Sequence, residues 1–515
     1  MSTPEGPESA RPKPHKPHKP HKPHLLLIMT DQQKATAGEL YGGPVRTPHL
    51  ARIASRGLLY ERAYTPHPLC VPARVSLWTG RWPHAHGART NETPMPRAET
   101  HFARVLHEHG YVLGHFGKNH CFTPEDFDAC FARVFEAGHG DAIGPGITSV
   151  RSAPPARPMV PDPGGLRRPV ARVRNEPPQE SATYQVTEQA IRFLEEHAQG
   201  APGGGRGGQP LCLWLSIPDP HTPLQVPQPY AALYPPQTIA VPPWRPHELD
   251  EKPERQRVFH DLLYYGDLTE EDVRLAASIY HGMIAFLDER VGAVLDALQR
   301  LGLHEDTAVV FTSDHGDYLG EHHLLGKSNA FYDCLTRVPL LLSYPRGVPA
   351  RGERCADPVS LIDVLPTLLG LAGIPLPAGV QGRALPATPG APVARGAAFS
   401  EYGAGGPAVT LEAARRLCPP GGPRAMPPLL REREGEGHGK MVFDGRWKYA
   451  YDSGPTGGEE LYDLQEDPWE LENLAHRPGH AEVVARLRLR LLDWMLETEN
   501  ARPVPLHYDV AALGG

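Results

Sequence analysis

Short apolar segments, each ending abruptly in polar residues, recur along this 515-residue chain. They span residues 25–29, 211–215 and 308–311, and a fourth spans 339–342. An apolar run without polar alternation is typical of a strand that is buried on both faces of a sheet. The pattern therefore favours a sheet whose two faces are both covered.

The segments between these runs have the periodicity of helices. The clearest example is one apolar stripe formed by Met283, Phe286, Leu287, Val291, Val294, Leu295 and Leu298. Buried strands that alternate with helices predict an α/β fold. In such folds ligands bind beyond the carboxyl ends of the strands. Asp31, His221, Asp314 and His315 follow the predicted strands, so we expect them at one edge of the sheet.

The C-terminal part of the chain has a different pattern. Residues 441–451 predict a hairpin with an Asp444-Gly445 turn, and residues 460–464 predict a strand that pairs with it. A helix should follow, with one apolar face made of Val484, Leu487, Leu491 and Trp494. We therefore expect a large domain over 25–385 and a smaller subdomain over 386–515, built from an antiparallel sheet and a helix.

Residues 1–24 are of low complexity, because Lys-Pro-His recurs up to His24. Regular prolines favour extended polyproline II and oppose a packed core, so we interpret this segment as a disordered leader. Its histidines could instead bind transition metals. The Pro- and Gly-rich stretches at 144–178, 197–210 and 403–440 are predicted to be surface insertions, and we expect substrate specificity in 144–178 and 403–440.

Composition narrows the possible partners and compartments. The formal net charge of −8 argues against nucleic-acid binding. The seven cysteines form no C-x-x-C pair, which favours a reducing compartment. We see neither a secretory signal nor an apolar stretch long enough to span a bilayer, so a soluble, cytoplasmic protein without a membrane partner is expected. The sequence does not indicate an oligomeric state.

Cys70 lies in the segment Leu69-Cys70-Val71-Pro72-Ala73-Arg74. Pro72 suits the first turn of a helix, which puts Cys70 at the helix N-terminus, where free N–H groups favour an anion. Arg74 adds a positive charge one turn further on. The position therefore predicts an acidified, reactive thiol. The alternative is a small buried side chain at a loop-to-helix junction.

Cys70, Pro72 and Arg74, followed by Ser76, Thr79, Gly80 and Arg81, resemble the sulfatase signature. The resemblance implies an alkaline-phosphatase-like fold, with a large mixed, mostly parallel sheet between layers of helices. It also implies that a formylglycine-generating enzyme oxidises Cys70 to formylglycine (3-oxoalanine), whose hydrate is the nucleophile. The substrate would be a small-molecule sulfate ester. The C-terminal segment from Leu461 to Leu474 resembles the same family.

Asp31, Gln32, Asp314 and His315 offer two carboxylates, an amide oxygen and an imidazole to a divalent cation. Sulfatases resemble the chain at both pairs, although their first pair is more often Asp-Asp. Gln32 matches the Asp-Gln variant of choline-sulfatase-like and phosphonate monoester hydrolase members. The resemblance implies Ca²⁺ as the default ion, with Mn²⁺ or another divalent ion as alternatives.

The resemblance extends to further site residues. It implies that Lys118 neutralises sulfate oxygens and that His120 is the base on the formylglycine hydroxyl. It places His221 and Lys327 near the leaving oxygen, Arg74 beside the nucleophile and Asn91 near the substrate.

Three functions remain open at this point. The favoured one is hydrolysis of sulfate esters by a formylglycine-dependent sulfatase. A phosphonate, or a phosphate mono- or diester, could be hydrolysed at the same site, because these tetrahedral anions have similar sizes. A non-catalytic metal-binding protein with an unmodified Cys70 is the alternative from another class.

Overall fold

The structure is a computed structural model that describes residues 22–146, 171–200, 208–263, 268–346, 352–386, 388, 395–417 and 434–499. The predicted leader therefore lies outside the described residues, except for its last three positions. Large parts of the three predicted insertions also lie outside them.

Seventeen strands and twelve α-helices are present in the described residues. The strands are β1 (His24–Thr30), β2 (Gly57–Tyr60), β3 (Ala63–Tyr64), β4 (Val112–Gly117), β5 (Arg133–Glu136), β6 (Ala171–Arg174), β7 (Leu211–Ile217), β8 (Leu224–Pro227), β9 (Thr307–Ser313), β10 (Arg337–Val338), β11 (Leu340–Ser343), β12 (Glu353–Cys355), β13 (Val359–Ser360), β14 (Ala398–Tyr402), β15 (Gly439–Phe443), β16 (Trp447–Asp452) and β17 (Gly458–Asp463). The helices are α1 (Pro48–Ser55), α2 (Cys70–Thr79), α3 (Pro83–His86), α4 (Phe102–Glu108), α5 (Pro124–Cys130), α6 (Ala182–Ala198), α7 (Glu254–Leu263), α8 (Glu270–Arg300), α9 (Asp333–Thr336), α10 (Val364–Leu371), α11 (Leu411–Leu417) and α12 (Ala481–Thr498).

The large sheet has eight strands in the order β12-β2-β11-β9-β1-β7-β4-β5. All four predicted apolar runs are strands of this sheet. β11 is antiparallel to both of its neighbours, and the other adjacent pairs are parallel. The predicted large, mixed and mostly parallel sheet is therefore confirmed.

Helices cover both faces of this sheet, as the apolar runs require. Alternate residues of β1 belong to two different cores: Leu25 and Leu27 pack in one, and Leu26 and Ile28 pack in the other. The first core contains buried side chains of α2, α4 and α10, and the second contains those of α1, α6 and α8. The predicted apolar stripe over 283–298 lies in α8 and faces the second core.

The smaller sheet has the order β14-β15-β16-β17 and is antiparallel throughout. The predicted hairpin is formed by β15 and β16, and Asp444 donates its N–H to the carbonyl of Trp447 across the turn. α12 covers this sheet through Val484, Leu487, Leu491 and Trp494, all of which are buried. Trp494 stacks on Phe399 with ring centroids 4.7 Å apart. The antiparallel sheet with one helix is confirmed, whereas the domain boundaries remain predictions.

Two further features concern the cysteines and the helices. Within the described ranges, the six cysteines carry free thiols. No helix there is both long and apolar enough to cross a membrane.

The packing of α12 predicts very different costs for two leucine truncations. Leu487 is 0% exposed beneath the helix, whereas Leu492 is 54% exposed on its outer face. Leu487→Ala should lower the free energy of unfolding by about 2–5 kcal/mol, because it leaves a cavity. The matched control Leu492→Ala should change it by less than about 0.5 kcal/mol. Urea unfolding measures both values, and equal losses would contradict this packing.

Candidate active site

The predicted site residues meet beyond the carboxyl ends of four neighbouring strands. Asp31 follows β1, Asp314 follows β9, Lys118 follows β4 and His221 lies four residues after β7. Because these strands are parallel, their carboxyl ends share one edge of the sheet. The N-terminus of α2 faces this edge and brings Cys70 into the cluster.

Cys70 is the first residue of α2 and is 2% exposed. Its sulfur lies 2.9 Å from Lys327 Nζ, 3.2 Å from His315 Nε2 and 3.6 Å from Asp31 Oδ1. It also forms side-chain hydrogen bonds with His120 and His221. The side chain at position 70 is therefore enclosed by the other predicted site residues.

Arg74 links α2 to the strand ends. Its guanidinium donates to Asp314 Oδ2 at 2.8 Å, to Asp31 Oδ2 at 3.4 Å, to the Lys118 carbonyl at 3.0 Å and to Ser216 Oγ at 2.7 Å. The side chain is completely buried. Arg74 therefore holds the framework around Cys70 through the strands and their carboxylates.

Asp31 is held by cations on more than one side. Lys118 Nζ and Arg74 form ion pairs with it, and His139 Nε2 lies 3.2 Å from Oδ2. Burial raises the pKa of Asp31, but the charge of Lys118 and the hydrogen bond with His139 outweigh this effect, so the pKa is well below its ordinary value. Asp31 is therefore ionised in the folded protein.

Lys327 has three acceptors for its three ammonium hydrogens. These are the Cys70 sulfur, His221 Nε2 at 3.1 Å and His315 Nε2 at 3.0 Å. His221 Nδ1 lies 2.6 Å from the Thr222 carbonyl and donates to it, which leaves Nε2 as the acceptor. Burial, and next the charge of Lys327, lower the pKa of His221. His221 is therefore neutral and hydrogen-bonded to a cation.

The thiol of Cys70 is acidified, as the sequence predicts, but the main charges differ from the expected ones. Burial and the Asp31 carboxylate raise its pKa, whereas the ammonium groups of Lys118 and Lys327 lower it by a larger amount. The net result is a pKa well below the ordinary value. Arg74, which we expected to add the fixed charge, directs its hydrogen bonds to the strand ends.

His120 lies beside Cys70 in the segment after β4, with a backbone φ of +60°. Burial, and then the charge of Lys118, lower its pKa to about 4. The imidazole is therefore neutral at physiological pH and has a lone pair to accept a proton.

A divalent cation fits the cluster beside Cys70. Ligand atoms of Asp31, Cys70, Asp314 and His315 all lie within 4.8 Å of one another. His315 Nδ1 lies 2.9 Å from the Gly316 carbonyl and donates to it, so Nε2 is directed toward the two carboxylates. Carboxylate oxygens with one imidazole suit hard or borderline divalent ions.

Gln32 and Asn91 lie at the edge of this cluster. Gln32 donates its backbone N–H to Asp314 Oδ1 at 3.1 Å and its side-chain Nε2 to Asp317 Oδ2 at 2.5 Å. Asn91 Oδ1 accepts the N–H of Val71 at 3.1 Å, so it caps the helix that begins at Cys70. Asn91 in turn donates its backbone N–H and its Nδ2 to Glu434, each at 3.1 Å.

Three further residues lie at the site although the sequence does not predict them there: His139, Asp317 and Glu434. The ring of His139 stacks on His221 at 3.5 Å with an interplanar angle of 1°, and its Nε2 lies 2.8 Å from Lys118 Nζ. It follows β5, so the rule that found Asp31 could have found it, had that edge strand been recognised. Glu434 lies in the proline-rich insertion, where no pattern indicates a long-range contact.

Comparison with known proteins establishes the family. The family model described as Sulfatase matches residues 23–374. The chain is also 30% identical over 512 residues to a choline-sulfatase of Rhizobium meliloti (strain 1021), with 93% of this chain and 88% of that protein covered. The chain belongs to the sulfatase family. As a sulfatase it is a sulfuric ester hydrolase, and the family implies a divalent metal and a formylglycine made from cysteine.

Solved structures support the alkaline-phosphatase-like fold of this sulfatase. The phosphonate monoester hydrolase from Silicibacter pomeroyi matches with a TM-score of 0.73 and 25% identity, covering 93% of this chain and 96% of that chain. The phosphonate monoester hydrolase of Agrobacterium radiobacter matches with a TM-score of 0.71 and 24% identity over the same shares. The resemblance stated from the sequence is therefore confirmed.

The carboxyl group of Glu434 should make the unfolding free energy of the sulfatase depend on pH. Burial raises the pKa of its carboxyl to about 7, although the hydrogen bonds from Asn91 and the charge of Lys327 lower it. A free glutamate has a pKa of about 4.3, so the folded state holds the proton more tightly than the unfolded state. Its contribution is therefore complete below about pH 4.3, and is lost as the pH rises through about 7.

The effect of Glu434 is the difference in unfolding free energy between the wild type and Glu434→Gln. As the pH rises from 4 to 8, the wild type should lose up to about 3 kcal/mol of stability relative to the variant. Urea unfolding at a series of pH values measures it. Two parallel stability curves would show that Glu434 titrates normally.

Proposed function

We propose that this sulfatase hydrolyses small-molecule sulfate esters with a formylglycine formed from Cys70. The observation that carries the proposal is the position of Cys70 at the start of α2, within reach of Lys327, His315, His120 and Asp31. A formylglycine-generating enzyme is the partner that would make the modification. The hydrated aldehyde then supplies a hydroxyl group as the nucleophile.

Lys118 and Lys327 provide the positive charge that a sulfate group needs. Both ammonium groups lie next to Cys70 or its neighbour Asp31. Cations that are fixed in a buried site stabilise negative charge without reorganisation during the reaction. We assign sulfate binding to Lys118, and the leaving-group side of the site to Lys327 together with His221.

Two imidazoles are placed to transfer protons during the reaction. His221 Nε2 accepts a hydrogen bond from Lys327, so this pair can deliver a proton to a departing alkoxide oxygen. His120 is neutral and hydrogen-bonded to the side chain at position 70, so it can accept a proton from a hydroxyl group there. Arg74 fixes the position of α2 relative to both groups.

The cation would be held by Asp31, Asp314 and His315, with Gln32 as a further oxygen donor. When bound, it acts as a Lewis acid and polarises an oxygen of the sulfate or the nucleophile. Ca²⁺ is our default assignment, since oxygen ligands predominate. The imidazole of His315 also suits Mn²⁺.

The organic half of the substrate is proposed to be small. The choline-sulfatase of Rhizobium meliloti, whose name indicates a small sulfate ester, aligns along most of both chains. Glu434, from the predicted insertion at 403–440, contacts Asn91 at the edge of the site. This contact supports a role for that insertion in specificity.

We propose a cytoplasmic location for the protein.

Hydrolysis of phosphonate monoesters or phosphate esters is the second candidate. The observation in its favour is the pairing of Asp31-Gln32 with Asp314-His315, together with a fold similar to the two phosphonate monoester hydrolases. The same cations would bind a phosphonate anion.

Replacement of Cys70 tests the nucleophile. Cys70→Ala should abolish turnover of an aryl sulfate while it leaves the urea-unfolding midpoint nearly unchanged, because the side chain lies at the rim of the sheet. Mass spectrometry of the peptide spanning residues 65–81 should find an aldehyde in the active wild type. Turnover by protein that carries only the free thiol would contradict the proposal.

Parallel assays separate the two candidate reactions. Purified wild type is given an aryl sulfate, a phosphonate monoester and a phosphate diester with the same leaving group, and kcat/KM is measured for each. We expect the sulfate ester to have the highest value, by about tenfold or more, which corresponds to about 1.4 kcal/mol in the transition state. A higher value for the phosphonate would favour the second candidate, and Lys327→Ala is the control that should slow all three substrates.

A further inference from the structure

Asp317 is a buried carboxylate next to the proposed metal site, with a separate partner for each oxygen. Oδ2 accepts the Nε2 hydrogen of Gln32 at 2.5 Å. Oδ1 accepts the N–H groups of Leu319 at 2.7 Å and Gly326 at 3.0 Å. Asp317 is 2% exposed and Gln32 is 1% exposed, so water does not replace these partners.

These contacts fix the rotation of the Asp317 carboxylate. Oδ1 bonds to backbone N–H groups near both ends of the loop that leads to Lys327. A rotation of the carboxylate would break these two hydrogen bonds, and the freed groups would be buried without partners. Oδ2 is therefore held toward Gln32.

The chemistry of the two side chains leaves one orientation for the Gln32 amide. Both oxygens of the Asp317 carboxyl group accept hydrogen bonds here, and an amide donates at nitrogen and accepts at oxygen. The nitrogen of Gln32 must therefore face Asp317, and its oxygen must face away. The backbone of Gln32 is held beside Asp314, because its φ is +67° and its N–H donates to Asp314 Oδ1.

We propose that Asp317 is a positioning residue that presents Oε1 of Gln32 to the divalent cation. The inference rests on the metal site of the proposed function. It explains how an uncharged amide serves beside Asp31 and Asp314: a neighbouring carboxylate prevents the amide from turning its NH₂ group toward the cation. Outer partners that orient metal ligands typically contribute tenfold to a hundredfold in metal affinity.

Asp317→Asn isolates this role, because it retains Oδ1 for the loop and changes only the atom that faces Gln32. Two NH₂ groups then meet, so the Gln32 amide turns over and directs nitrogen toward the cation. The affinity for Mn²⁺ and for Ca²⁺, measured by calorimetry on metal-free protein, should fall by about tenfold to a hundredfold. Thermal unfolding without metal should show an intact fold.

The double variant Gln32→Glu/Asp317→Asn moves the carboxylate from position 317 to position 32 and should restore metal binding. The new carboxylate at position 32 accepts from the new amide and offers its second oxygen to the cation, so most of the affinity should return. Gln32→Glu alone should bind less tightly than the double variant, because it places two carboxylates in contact.

The inference is overturned if Asp317→Asn binds both ions as tightly as the wild type, or if the double variant binds no better than Asp317→Asn. It is also overturned if Asp317→Asn unfolds and the double variant, once folded, binds as weakly as Gln32→Glu alone. A wild type that binds neither ion would instead refute the proposed metal site. Wild-type binding with unaffected variants refutes only the role of Asp317.

Discussion

The buried guanidinium of Arg74 is the interaction on which the site depends. Its partners lie at the carboxyl ends of β9, β1, β7 and β4, which are adjacent in the large sheet. A planar group with five donors can bind such a row, whereas a lysine ammonium cannot. α2 is thereby fixed against four strands at once. Cys70, one turn earlier in the helix, is positioned among residues that are far apart in the sequence.

The charges around Arg74 also decide the chemistry of position 70. Asp31 and Asp314 are fully buried, and so are Arg74 and Lys118, which pair with them. Such a network is weak evidence for stability, because desolvation offsets the attraction between buried ions. The network acts through its charges. Lys118 and Lys327 favour an anion beside Cys70, and the carboxylates can bind a cation. A sulfate ester, which is an anion, fits this arrangement.

Much of this could be predicted from the sequence because the decisive signals are local. An apolar run followed by Asp31 or by Asp314 indicates both the strand and its functional end. Glu434 carries no such signal, and the strand that precedes His139 is not evident as an apolar run. The direction of the Asp317 carboxylate depends on a loop with non-repetitive backbone, and the stacking of His139 on His221 joins two separate strand ends. Glu434 reaches Asn91 from the other end of the chain, and no periodicity encodes that contact.

Anomalous diffraction from crystals soaked in Mn²⁺ would show whether one cation, held beside Cys70 by residues that Arg74 organises, completes the site. We expect an anomalous peak bonded to Asp31, Asp314 and His315, with the oxygen of Gln32 directed at it and Arg74 still bound to both carboxylates. A peak at another cluster, such as Glu321, His322 and Cys334, with none beside Cys70, would contradict it.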